Sequence, residues 1–123
     1  MSFTTISVIG LGYIGLPTAA AFASRQQQVV GVDINARAVE TINRGEIHIV
    51  EPDLDRVVKA AVEGGFLSAS TTPVTADAYL IAVPTPFKGD HEPDMRYVEA
   101  AAKSIAPVLK KGALVILEST SPV

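Results

Sequence analysis

The sequence predicts an α/β fold, a doubly wound open parallel sheet, and three observations carry that prediction. Short β-rich apolar runs alternate with stretches of helical period. Several of these runs are almost continuously apolar, as strands buried on both faces of a parallel sheet are. A turn rich in glycine stands between the first run and the first helical stretch.

The strands are expected at 6–10 (ISVIG), 29–33 (VVGVD), 66–70 (FLSAS, the weakest), 78–83 (AYLIAV) and 113–118 (ALVILE). A helix follows Ile14 and runs to about Ser24, with Pro17 tolerable in a first turn whose N–H groups have no intrahelical partner. A second, 35–44, has Ala36, Val39 and Ile42 as an inner face, with Glu40 and Arg44 spaced for an outer i,i+4 pair. Leu54, Val57, Val58, Ala61 and Val62 form the stripe of a third, ending at Gly64 and Gly65 and started by Glu51, Pro52 and Asp53. A fourth stripe, Met95, Val98, Ala102, Ile105 and Leu109, is opened by Asp94 and stopped by Gly112. The remaining segment, 84–94 (PTPFKGDHEPD), reads as an irregular functional loop.

Bulk properties narrow the function. A chain of 123 residues holds one domain, and 48% hydrophobic against 19% charged residues is a globular profile rather than a disordered one. A net charge of −3 with scattered basic residues argues against nucleic acid as a partner. No apolar stretch approaches the ~20 residues that cross a bilayer, so no membrane partner is expected. The N-terminus MSFTT lacks a basic region ahead of a signal-type core, which predicts a cytoplasmic protein. The absence of cysteine excludes disulfides, thiolate metal sites and a thiol nucleophile within these residues. His48 and His91 have no second ligand at helical or hairpin spacing, so no metal is expected.

The turn Gly10-x-Gly12-x-x-Gly15 follows the first strand and opens a helix, and Asp33 answers it 18 residues past Gly15 at the end of the second strand. In the Rossmann-type fold this arrangement binds a dinucleotide. The first glycine makes the tight turn, the second admits pyrophosphate, and the third lets helix and strand pack closely. Tyr13 and Ile14 supply N–H groups at the positive end of the helix dipole. Asp33 accepts hydrogen bonds from the adenosine ribose and repels the extra phosphate of NADP, so the expected cofactor is NAD. Arg37 either lies against the adenosine or is merely solvated on its helix. At the later strand ends, Pro84, Thr85 and Pro86 form either a cofactor-facing hydroxyl held by two prolines or an ordinary rigid turn. Glu118, Ser119 and Thr120 follow the last strand, and Ser121 before Pro122 reads as a helix start. A helix beginning there implies that the sheet is truncated before its last βα elements, residues 1–123 being the NAD-binding part of a longer enzyme.

IGLGYIGLPTAAAFA, VVGVDIN, EPDLDRVV, AVPTPFKGDHEPDMRYV and ESTSPV, in that order, resemble the N-terminal NAD-binding domain of the UDP-glucose/GDP-mannose dehydrogenase family. Glu118 stands where the UDP-glucose enzymes tend to carry lysine, which directs the resemblance to another branch of the family. Asp53 departs from the glycine often found in EPGLDE versions of the motif. The resemblance implies oxidation of a sugar C6 alcohol to a carboxylate with two NAD, through a thiohemiacetal and a thioester on a cysteine. That cysteine and its lysine have no counterpart here, so these 123 residues alone are expected to hold NAD without turnover. For the full-length enzyme it implies a UDP-sugar substrate and a homodimer. It also implies a cofactor role for Gly10, Gly12, Tyr13, Ile14, Gly15, Asp33, Pro84, Thr85, Ser119 and Thr120. The Thr120 hydroxyl would position a water or substrate oxygen, or else serve only as a helix-start hydroxyl. Within the family a UDP-glucose or UDP-GlcNAc dehydrogenase stays open, and two other readings stand beside it: a β-hydroxyacid dehydrogenase, which begins with such a turn, and a non-catalytic NAD-sensing module.

Overall fold

The computed structural model describes residues 5–82, 87–88, 92–93, 96–109 and 111–118. The elements are β1 (Thr5–Ile9), α1 (Gly15–Ser24), β2 (Gln28–Val32), α2 (Ala36–Asn43), α3 (Leu54–Glu63), β3 (Leu67–Ser70) and β4 (Ala78–Ile81). There follow β5 (Phe87–Lys88), β6 (Glu92–Pro93), α4 (Arg96–Ile105), a 3₁₀ turn (Ala106–Val108) and β7 (Leu114–Leu117). Five strands form one parallel sheet in the order β3-β2-β1-β4-β7. Parallel neighbours need crossovers, and the helices supply them. Because the chain moves outward from β1 through β2 to β3 and then returns to β4, the order reverses between β1 and β4, where such sheets open a crevice at their carboxyl ends.

Alternation along the strands divides the core in two. Val8, Val29 and Leu80 face α1 and α3 with Leu16, Ala20, Val58 and Ala61, while Ile9, Val32, Tyr79 and Ile81 lie with Ala101 and Ile105 of α4. The Tyr79 side chain is fully buried, and its hydroxyl is shared by three backbone groups. It accepts from Ala76 N–H at 2.8 Å and lies 2.9 Å from the Val74 carbonyl and 3.1 Å from that of Val108, so it joins the segment before β4 to the end of the 3₁₀ turn. At the β3 edge, the Asn43 amide pairs with both backbone groups of Ala69, at 3.0 and 2.9 Å, as a strand would, and blunts that edge.

The five main strands appear within a residue of their expected starts, whereas several other expectations need correction. The 84–94 segment carries a small antiparallel pair, Phe87–Lys88 with Glu92–Pro93, too short for any periodicity to signal. In α2 the inner face is Ala38, Val39 and Ile42, and Ala36, the first helical residue after the Asn35 cap, is exposed. Arg44 lies past the last helical turn and pairs with Glu46 at 2.8 Å instead of Glu40. Among the described positions of α4 the buried ones are Ala101 and Ile105 rather than Ala102, Leu109 is exposed, and Met95 lies outside the described residues. Pro107 lacks the N–H that would continue the ladder, so the helix tightens into the 3₁₀ turn before reaching Leu109. Pro52 and Asp53 precede α3 rather than forming its first turn, and Asp55 is the acidic residue there.

β7 departs most from expectation. Its four apolar residues are between 44 and 56% exposed, so this strand is not buried on both faces as the sequence run suggested. It stands at the sheet edge, paired to β4 alone among the described strands. Among the described residues no helix is long and apolar enough to cross a membrane.

Candidate functional site: a dinucleotide cleft

The glycine turn leaves the sheet at Gly10, whose φ of +98° is disfavoured for any residue with a Cβ, and whose N–H donates to the Val32 carbonyl at 2.7 Å. Gly15 opens α1 directly against that turn. A Cβ there would lie 1.6 Å from the Gly10 carbonyl oxygen, so helix and strand approach as closely as they do only because position 15 has no side chain. Gly12 is the converse case: a Cβ added to it meets no atom within 4 Å, because the position faces open space. The first intrahelical bond runs from Leu16 N–H to the Gly12 carbonyl at 3.1 Å, so the N–H groups of Tyr13 and Ile14 precede the helical ladder and suit an anion. The three glycines therefore do three different things.

Asp33 closes the turn on its other side. Its carboxylate accepts from Leu11 N–H and from Asn35 N–H, each at 2.9 Å, tying the glycine turn to the start of α2. Each oxygen retains a lone pair beyond those bonds, so the residue keeps acceptor capacity for a ribose hydroxyl. Its structural duty was invisible in the sequence. Leu11 in turn lies over Gly31 of β2, where an added Cβ would come within 2.7 Å of the leucine side chain.

These residues line one cleft of about 610 Å³ at the carboxyl ends of the strands, within the size range of cofactor sites. Gly10, Gly12, Tyr13, Ile14 and Asp33 all line it, while Gly15 packs beneath. Arg37 is exposed in the first turn of α2 and is not among the described lining residues, which favours the solvated reading. Pro84, Thr85, Ser119, Thr120 and His91 fall outside the described residues. His48 is exposed, and among the described residues no group of His, Cys, Asp and Glu is placed to hold a metal.

The structure adds lining residues that sequence reasoning missed. Ile34 is 95% exposed directly after Asp33, and it flanks the cleft with Thr71 and Pro73. An apolar residue immediately outside a strand end was a readable signal of an exposed apolar contact. Ala100, Ala101 and Ser104 of α4 form the opposing wall, and their small size leaves it open. Glu118 lines the cleft after β7; the sequence placed it at that strand end and as a family marker, without a part in the site. An apolar slot for a base, an acidic acceptor for a ribose and a glycine-lined helix start for pyrophosphate are the parts of a dinucleotide site, and they occur here in that spatial order.

The family model of the UDP-glucose/GDP-mannose dehydrogenase NAD binding domain matches residues 4–123. The chain belongs to this family. Within the family it is 89% identical over its whole length to the UDP-N-acetyl-D-mannosamine dehydrogenase of Salmonella typhi and 88% identical to that of Escherichia coli K12. An NDP-N-acetyl-D-galactosaminuronic acid dehydrogenase of Ralstonia nicotianae is 68% identical. Among solved structures, a UDP-N-acetyl-mannosamine dehydrogenase from Staphylococcus aureus superposes with a TM-score of 0.92 at 44% identity, covering 95% of this chain. The chain spans 29% of the length of each of these proteins. Family membership makes this an NAD-binding domain, as the glycine turn and Asp33 led the sequence reading to expect.

Proposed function

We propose that residues 1–123 are the cofactor domain of a UDP-N-acetyl-D-mannosamine 6-dehydrogenase, which converts UDP-ManNAc to UDP-ManNAcA. The observation that carries this reading is the glycine cradle, open at Gly12 and closed at Gly15, within a chain 89% identical to a UDP-N-acetyl-D-mannosamine dehydrogenase. Asp33 takes the adenosine ribose, and the N–H groups of Tyr13 and Ile14 take the pyrophosphate. When bound, NAD supplies the hydride-accepting ring, and two NAD with one water take the C6 alcohol to a carboxylate, releasing three protons.

Pro84, Thr85 and Ser119 complete the nicotinamide half of the site, and Thr120 positions a water or the substrate oxygen. The nucleophilic cysteine and its lysine belong to polypeptide beyond these residues, consistent with the chain's 29% share of its relatives' length and its lack of cysteine. The full-length enzyme acts as a cytoplasmic homodimer, its product entering bacterial surface polysaccharide such as enterobacterial common antigen. The 68% identity to an enzyme named for another acetamido sugar leaves sugar choice to residues beyond this domain.

The test is stoichiometric. Full-length protein given UDP-ManNAc should form two NADH per sugar, and the 123-residue chain none. One NADH per sugar overturns the thioester route, and oxidation of UDP-GalNAc in preference to UDP-ManNAc overturns the substrate.

A further inference from the structure

The carboxyl ends of β2, β1, β4 and β7 deliver Asp33, the glycine turn, Ala82 and Glu118 to the cleft in that spatial order. A dinucleotide with its adenosine at Asp33 and its pyrophosphate at the turn must extend its remaining half past Ala82 toward Glu118. Asp33 and Glu118 are the carboxylates among the described lining residues, and they stand at opposite ends. Backbone pairing holds Glu118 in place, its N–H donating to the Ile81 carbonyl at 2.8 Å. Its Oε1 lies 3.5 Å from the Thr18 hydroxyl, but that hydroxyl has one proton and a closer acceptor, the Ile14 carbonyl at 2.9 Å. The carboxylate therefore keeps most of its acceptor capacity at the cleft.

We infer that Glu118 selects the redox state of the cofactor, favouring NAD⁺ over NADH. The two forms differ at the nicotinamide by one positive charge, which the oxidised ring carries and the reduced ring lacks. A fixed carboxylate beside that ring attracts the first and not the second. The inference rests on the cofactor reading proposed above. There it has a use, since a reaction that consumes two NAD in succession needs each reduced cofactor to leave before the next enters. Lysine in the same position has the opposite sign and removes the bias.

The experiment is calorimetric titration of the 123-residue chain with NAD⁺ and, separately, with NADH, alongside Glu118→Gln and Glu118→Lys. The ratio of the NADH to the NAD⁺ dissociation constant should fall about 5-fold in Glu118→Gln, the size of a partly exposed ion pair, and further in Glu118→Lys. In the unsubstituted chain the same ratio should fall as salt is raised, which tests the charge without any substitution. A purely structural role would weaken both forms alike. Binding of both forms with a ratio that neither the substitutions nor salt moves overturns the inference alone. Binding of neither form by folded, unsubstituted chain overturns the cofactor reading, and the inference with it.

Discussion

At the scale of single residues, Gly12 and Gly15 predict opposite consequences for the same substitution. Gly15→Ala drives a methyl to 1.6 Å from the Gly10 oxygen and should cost about 3 kcal/mol of stability or more, measured by urea denaturation. Gly12→Ala enters open space, so it should leave stability unchanged and weaken NAD binding at least about tenfold, read by titration. Equal effects of the two on stability would contradict the distinction between packing glycine and approach glycine. Asp53 is a second case of local backbone demand. It holds φ at +63° as the residue before α3, with no side-chain cap, and its contact with Arg56 at 3.4 Å is between largely exposed groups. Glycine there relieves the left-handed conformation but gains freedom in the unfolded chain, so Asp53→Gly should stabilise by only about 0.5 kcal/mol in thermal or urea unfolding. The glycine motif and Asp33 were legible in the sequence because their chemistry dictates residue type and spacing. The bonds from Asp33 to Leu11 and Asn35 were not, since they depend on where two loops meet in space.

At the scale of elements, hydrophobic period located every main strand and helix, and failed where local chemistry altered the geometry. Asn35 caps α2 and leaves Ala36 exposed in its first turn, and Pro107 ended α4 early. Neither event changes the apolar count that a periodic pattern reads. The Tyr79 tether was also beyond reach, because a tyrosine inside an apolar run says nothing of where its hydroxyl goes. That hydroxyl now predicts a result: Tyr79→Phe keeps the ring but strands the buried Ala76 N–H, and should cost about 2 kcal/mol in urea denaturation. A loss under about 0.5 kcal/mol would mean that water replaces the bond at no penalty, and that the 3₁₀ turn is held by packing alone.

At the scale of the molecule, the sheet order explains why one cleft gathers residues from so much of the chain. Reversal of strand order between β1 and β4 leaves a crevice that no crossover fills, and the glycine turn, the β2 end, the α4 wall and Glu118 all border it. The sequence carried the parallel sheet because its strands are apolar runs, but the same signal overstated the burial of β7, whose exposure depends on what packs beside it. The central claim is that this cleft is an NAD site organised by Asp33 and the glycine turn. Calorimetric titration of the 123-residue chain with NAD and NADP, beside a folded Asp33→Ala variant, tests it most directly. Saturable binding of NAD, weaker binding of NADP, and loss of NAD affinity in the variant are the predicted results. A folded chain that binds neither cofactor, or an Asp33→Ala variant that remains folded and binds NAD undiminished, would contradict the account.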